Sequence, residues 1–199
     1  ALPLIALQYH EVKVLVELLD ATALANANLL VNYVYLDTDE RRRFAQVSHE
    51  YLIEQVQHTG TDSGTAITLT YNHPVKALFW SGANSTAAKL QLNGHDRFTE
   101  QSSKYFKLVQ PYESGLGRNG ETMSATRTWE TVSTGPATEM YSFALKPGEH
   151  QPSGTCNFSR IDNARLNLTG NSSASVNVFA LNYNVLRVMS GMGGLTYSN

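Results

Sequence analysis

A chain of 199 residues with 42% hydrophobic content is long enough to bury a core of its own, and suits one large β domain or one domain with a piece of another. A formal net charge of -2 excludes the dense Lys/Arg surface with which proteins displace phosphate counterions, so direct contact with nucleic acid is not expected. The single cysteine, Cys156, excludes an internal disulfide framework and a multi-cysteine metal centre.

In chain order, Val12, Val14, Val16 and Leu18 alternate with Lys13, Leu15 and Glu17, which predicts a strand with one apolar face. Leu29 to Leu36 is apolar at nearly every position except Asn32, the pattern of a strand buried on both faces. Asp37 with Glu40 has the form of a helix N-cap and capping box, predicting a short helix over Asp39 to Gln46. Its basic run, Arg41 to Arg43, reads as a solvated helix face or an interface cluster.

Strand signals then recur at short spacing. Tyr51 to Gln57, Ala66 to Tyr71, Val75 to Ser81 and Ala88 to Asn93 are each bounded by Gly, Asn, Pro or Ser clusters. A helix is predicted over Ser102 to Val109, stopped by Pro111, and the Gly/Ser/Thr-rich tract Ser114 to Thr138 is predicted as a long surface loop. Tyr141 to Leu145, Cys156 to Ile161, Ala164 to Thr169 and Val176 to Val188 complete the set. The apolar phase slips within the last of these, predicting a bulge near Ala180 and Leu181. The Gly/Asn/Ser cluster Thr169 to Ser175 reads as the turn of a hairpin between the final two strands. Eight short antiparallel strands from Tyr51 onward, four on each side of the long loop, make an eight-stranded jelly roll, an all-β sandwich with short helices in its connections. Leu2 to Leu18 and Pro152 to Leu168 share an apolar pattern, and each precedes a long strand. The first 36 residues therefore read as the closing strands of a preceding, similar roll.

Motifs that would carry chemistry are weak. GLGRNG spells GxGxxG at Gly115, Gly117 and Gly120, but it lies inside the predicted loop, without the preceding strand and following helix a dinucleotide needs. The SGMGG tail around Gly191, Gly193 and Gly194 reads as a tight turn. His10, His49, His58, His73, His95 and His150 are scattered without metal-ligand spacing, so a metal-dependent cupin would need folding to gather them. No nucleophile elbow appears, and Cys156 beside Phe158 reads as a buried, inert thiol. No enzymatic activity and no cofactor are expected. Asn84, Asn157, Asn167 and Asn171 each open an N-glycosylation sequon; Asn84 and Asn171 fall in predicted loops, Asn157 and Asn167 in predicted strands. No apolar run reaches the roughly 18 residues that cross a bilayer as a helix, and no signal peptide with a charged start is visible. The chain opens at Ala1 without a methionine, and the natural polypeptide is expected to extend further upstream.

The segments ALPLIALQYHEVK, HEYLIEQVQ, NHPVK, LQLNGHDRF, YSFALKP, QPSGTCNFSRIDNA and NYNVLRVMSGMGGL resemble the second half of the major capsid protein of large icosahedral double-stranded DNA viruses, the chlorella-virus and iridovirus type. The resemblance implies a double jelly roll that trimerises into a pseudo-hexagonal capsomer and tiles the outer shell of the virion, with neighbouring capsomers and minor capsid proteins as partners. By it, residues 1–36 would close a first roll, 37–48 would form a linker with a short helix, and 49–199 would be a complete second roll. Glycans on the outer face are a further implication, for which the four sequon asparagines are candidate acceptors. A carbohydrate-binding jelly-roll module is the alternative, with Trp129 of the long loop as its candidate platform.

Overall fold

The computed structural model of the protein describes residues 1–17, 28–82, 84–116, 138–171 and 175–197. They divide into two units, 1–52 with 185–198, and 53–184; the boundary falls within two long strands.

In the first unit a 3-10 turn, Leu4–Ala6, precedes helix α1 (Thr38–Gln46). Asp37 caps α1 through its extended backbone alone, because its side chain makes no capping hydrogen bond; the expected capping box is not closed. Strand β1 (His49–Asp62) starts here, while the end of β10 (Val176–Met189) turns back into β11 (Met192–Leu195), with Met189 facing Met192. Of the tail glycines only Gly191 serves that turn; Gly193 and Gly194, expected in it, lie in β11 and pair with Val188 and Arg187. Gly191 has φ +80°, and the ring of Tyr9 fills the place of a side chain, 2.6 Å from where a Cβ would stand. Tyr9 N–H also donates to Gly191 O at 3.0 Å.

The predicted strands Val12 to Leu18 and Leu29 to Leu36 are not strands in any part the structure describes. A strand exists only as half of a ladder, and none of the described residues pairs with either segment. Their side chains stand in solvent, with Leu15 90%, Leu30 94% and Tyr35 91% exposed.

The second unit is a two-sheet sandwich. One sheet runs β1-β10-β3-β7, where β3 is Pro74–Ser81 and β7 is Glu139–Ser142; β8 (Cys156–Asn157) adds to β3. The other runs β2-β9-β4-β5, from β2 (Ala66–Thr68), β9 (Ala164–Thr169), β4 (Ala87–Leu92) and β5 (His95–Asp96), with β6 (Gln101–Ser102) on β4. The chain changes sheet at the connections β1–β2, β2–β3, β3–β4, β6–β7, β8–β9 and β9–β10, which is the winding of a jelly roll. Inward side chains follow the period-2 rule: Leu78, Trp80, Val176, Val178 and Ala180 from one sheet meet Ile67, Ala88, Leu90, Leu166 and Leu168 from the other. Phe106 and Phe158 fill the flank, with Phe106 edge-on to Trp80 at 5.2 Å.

Several expectations need correction. The last two long strands are not a hairpin: β9 and β10 lie in different sheets, so the Gly170 connection crosses the sandwich. The predicted strand Cys156 to Ile161 shrinks to β8 and a 3-10 turn, Phe158–Arg160, because the Asn157 side chain accepts from Ser159 N–H and coils the chain. The short strands β5 and β6, whose polar sequence carries no strand pattern, and β11 stand in addition to the predicted ones. Pro111 does not stop the helix. A π-turn over Tyr105–Val109 lets Gln110 N–H reach back to Tyr105 O, and Pro111 sits in the first turn of α2 (Gln110–Glu113), where its missing N–H is tolerated. The bulge in β10 stands between Leu181 and Asn182, one residue beyond the sequence expectation.

Candidate functional site

Strand direction gathers a set of connections at one end of the roll. Ser81 pairs with Asn177, Trp80 with Glu139, Ala66 with Asn167 and Ala87 with Thr169. The turns before β2, between β3 and β4, before β7 and between β9 and β10 therefore all leave the sandwich on the same side. Two of the sequon asparagines lie there, in contact. Asn171 is buried; its Oδ1 accepts Asn84 N–H at 3.1 Å and its Nδ2 donates to Gly64 O at 3.2 Å. It thus ties three connections with one carboxamide. Gly82, with φ +83°, lies so close to the β9–β10 connection that a Cβ would stand 2.2 Å from Ser175 O. Asn84 itself is exposed. This end is a preformed surface in which Asn84 faces solvent and the Asn171 nitrogen is turned inward. Asn167 is half-buried, its amide donating to Gln91 at 3.0 Å, and Asn157 is exposed but occupied in capping the 3-10 turn.

Two buried charges hold the roll from outside its apolar core. Lys76, 1% exposed, donates to Glu54 on β1 at 2.6 Å and to Glu149 O at 3.4 Å, with its ammonium 4.9 Å above the Tyr183 ring. Its carbonyl accepts from both Phe143 and Ala144 N–H. One residue thus fastens β1, β3 and the connection after β7. Glu139, also 1% exposed, accepts from Trp80 Nε1–H and Ser103 Oγ–H and faces Lys107 at 3.5 Å. Burial pushes its carboxyl above the ordinary range, against the opposing pull of Ser103, Lys107 and Trp80. Neither was a sequence-level candidate. A lone lysine inside the apolar run VKALFW was a usable signal, since a charge in a buried strand requires a partner. Glu139 carries no such mark: its partners stand 36 and 59 residues away.

The remaining candidates do not converge. His49 stacks between Phe44 and Tyr51, His58 lies on Phe179 at 4.5 Å, and among the described residues no group of three or more His, Cys, Asp or Glu could hold a metal ion. Arg41 to Arg43 sit on a solvated helix, where Arg42 faces Asp39 at 3.9 Å. Cys156 is half-buried, with its thiol pushed up by burial. Trp129, Gly117 and Gly120 lie outside the described residues. No described helix is long and apolar enough to cross a membrane.

Comparison with known proteins agrees with an architectural reading. Residues 40–87 and 81–194 match the family described as large eukaryotic DNA virus major capsid protein. The major capsid protein of Pyramimonas orientalis virus is 55% identical across 100% of this chain and 58% of its own length. That of Paramecium bursaria Chlorella virus 1 is 38% identical across 100% of this chain and 63% of its own. The chain therefore spans about three fifths of these relatives. A solved structure of the PBCV-1 virus capsid superposes with a TM-score of 0.70 at 37% identity, covering 84% of this chain and 56% of that one. The Faustovirus major capsid protein, at 10% identity and a TM-score of 0.51, shares the fold.

Proposed function

The chain belongs to the large eukaryotic DNA virus major capsid protein family, and from that premise we propose that it is a building block of the outer shell of a large double-stranded DNA virus. The observation that carries the reading is the sandwich itself, with its interlocked connections and buried charge clamps: a rigid block with a preformed surface at one end. Its work is mechanical. Copies tile by contact, as trimeric capsomers that meet neighbouring capsomers and minor capsid proteins, and the protein resides in the virion shell.

The exposed apolar segments support the domain assignment. Residues 12–17 and 28–35 hold strand-forming side chains in solvent, and about two fifths of the relatives' own length lies outside the part this chain spans. Residues 1–36 are thus closing strands of a first jelly roll, 37–48 the linker, and 49–199 the second roll. Of the four sequon asparagines, Asn84 is the acceptor a glycan would reach, because its side chain is exposed where the connections gather.

Immunogold labelling of intact particles with antibodies to this chain tests the shell reading. Regular decoration of the particle surface is expected, and a signal confined to the particle interior or to infected-cell membranes would refute it. The intact mass of the polypeptide from particles tests the domain assignment. A mass well above 21.9 kDa is expected, whereas a mass equal to it would leave residues 12–36 to find partner strands on another subunit.

A further inference from the structure

The tail motif SGMGG closes the β10–β11 hairpin but cannot hold it shut unaided. β11 is four residues long, two of them glycine, and its ladder covers only the end of β10, from Leu186 facing Leu195 to Met189 facing Met192. Glycine in a strand offers no side chain to pack, and a two-stranded hairpin is marginal in water. Residues 7–9 supply the missing cover. Tyr9 N–H donates to Gly191 O at 3.0 Å, and Tyr9 Cδ2 and Cε2 lie 2.6 and 2.8 Å from where a Cβ on Gly191 would stand. Leu7 Cδ2 lies 2.8 Å from the corresponding point on Gly193, whereas Gly194 has open space there. Gly191 and Gly193 are thus a seat, and Gly194 is not. The strap is itself anchored: Ala6 is buried, Leu7 N–H donates to Leu4 O at 3.2 Å, and the turn Leu4–Ala6 packs on α1.

We propose that residues 7–9 are a latch seated on the tail glycines, so that strap and hairpin close together and open together. Exposure marks a latch rather than a piece of core. Tyr9 remains 76% exposed with its ring on Gly191, and Met189 and Met192, on either side of the turn, are 54% and 56% exposed. So small a buried area lets the pair open as a local unit of low stability. Tyr9 stands three residues before Val12, where the solvent-exposed apolar segment 12–17 begins. The seated latch fixes where that segment sets out, and an open latch frees the segment and β11 at once.

Amide hydrogen exchange of the whole chain, read by mass spectrometry over residues 1–9 and 190–197, tests the coupling. Tyr9→Ala is expected to speed exchange roughly tenfold at Gly193 to Thr196, although none of those residues is altered. Gly193→Val separates the latch from intrinsic preference. Valine favours a strand over glycine, so a self-sufficient hairpin would exchange more slowly in this variant, whereas eviction of Leu7 is expected to make both Tyr9 and β11 exchange several-fold faster. Gly194→Val, with the same gain and nothing to evict, is expected to slow β11 or leave it unchanged. Protection of β3 and β9 reports the sandwich and is expected to hold in every variant. Exchange of β11 unmoved by Tyr9→Ala, or slowed by Gly193→Val, overturns the latch. Loss of β3 and β9 protection in step with β11 also overturns it, by making the strap part of the core.

Discussion

At the scale of single residues, Glu139 and Gly82 make opposite demands on chemistry and space. Glu139 keeps a carboxyl where desolvation favours the protonated form, so the folded state holds that proton more tightly than the unfolded chain. Its contribution to stability is fully present below the ordinary carboxylate range and is lost as pH rises through the raised folded pKa. Glu139→Gln imitates the protonated form. Thermal unfolding is therefore expected to show the wild type gaining on Glu139→Gln as pH falls from neutral to mildly acid; a difference that stays flat, or reverses, would contradict the assignment. At Gly82 a methyl group meets both a left-handed backbone and Ser175 O, whereas Gly94, at φ +80°, has open space around it. Denaturant melts should show Gly82→Ala losing at least ~3 kcal/mol and Gly94→Ala about 1 kcal/mol, the cost of left-handed backbone alone. Equal losses would mean that the Ser175 approach relaxes freely.

Among the elements, Lys76 joins three that are far apart in sequence, and its two sides are unequally wet. Lys76 is buried while the Glu54 side chain is 34% exposed. Removing the carboxylate strands an ammonium in the interior, but removing the ammonium leaves a carboxylate that water can reach. Glu54→Ala should cost about 3 kcal/mol and Lys76→Met about 1 kcal/mol by equilibrium unfolding, and the reverse order would show that packing rather than charge governs the site. The same clamp marks what the sequence could express. Apolar runs bounded by Gly, Asn, Pro or Ser clusters locate β3, β4, β9 and β10 to within a residue or two, because turn residues punctuate the chain where a ladder ends. They say nothing of which sheet a strand joins, so β9 and β10 were paired across a turn that in fact changes layer. They are silent on β5 and β6, two residues each, and misjudge Cys156 to Ile161, where one asparagine side chain outweighs the apolar pattern. The glycosylation candidates were equally visible as motifs, yet only burial separates Asn84 from Asn171, and burial is a property of three connections meeting.

For the whole molecule, the exposed segments of the first unit set its solution behaviour. Leu15, Leu30 and Tyr35 stand almost wholly in water, within stretches whose composition favours strand pairing. Leu30→Lys with Tyr35→Lys is expected to raise the concentration at which the chain remains soluble, several-fold by light scattering, without moving the melting transition of the sandwich. A lowered transition would mean these side chains pack in the native state. The jelly-roll order carries a further consequence, for the time at which the protein comes into being. β10 lies between β1 and β3, so the first strand of the roll has no neighbour in its sheet until the last long strand, Val176–Met189, has been made. Closing a loop of that length is slow, and a chain emerging from the ribosome keeps an incomplete sandwich until translation is nearly over. Synthesis itself then acts as a timer: no partial product has the finished walls, and copies become competent to meet one another only once each is complete.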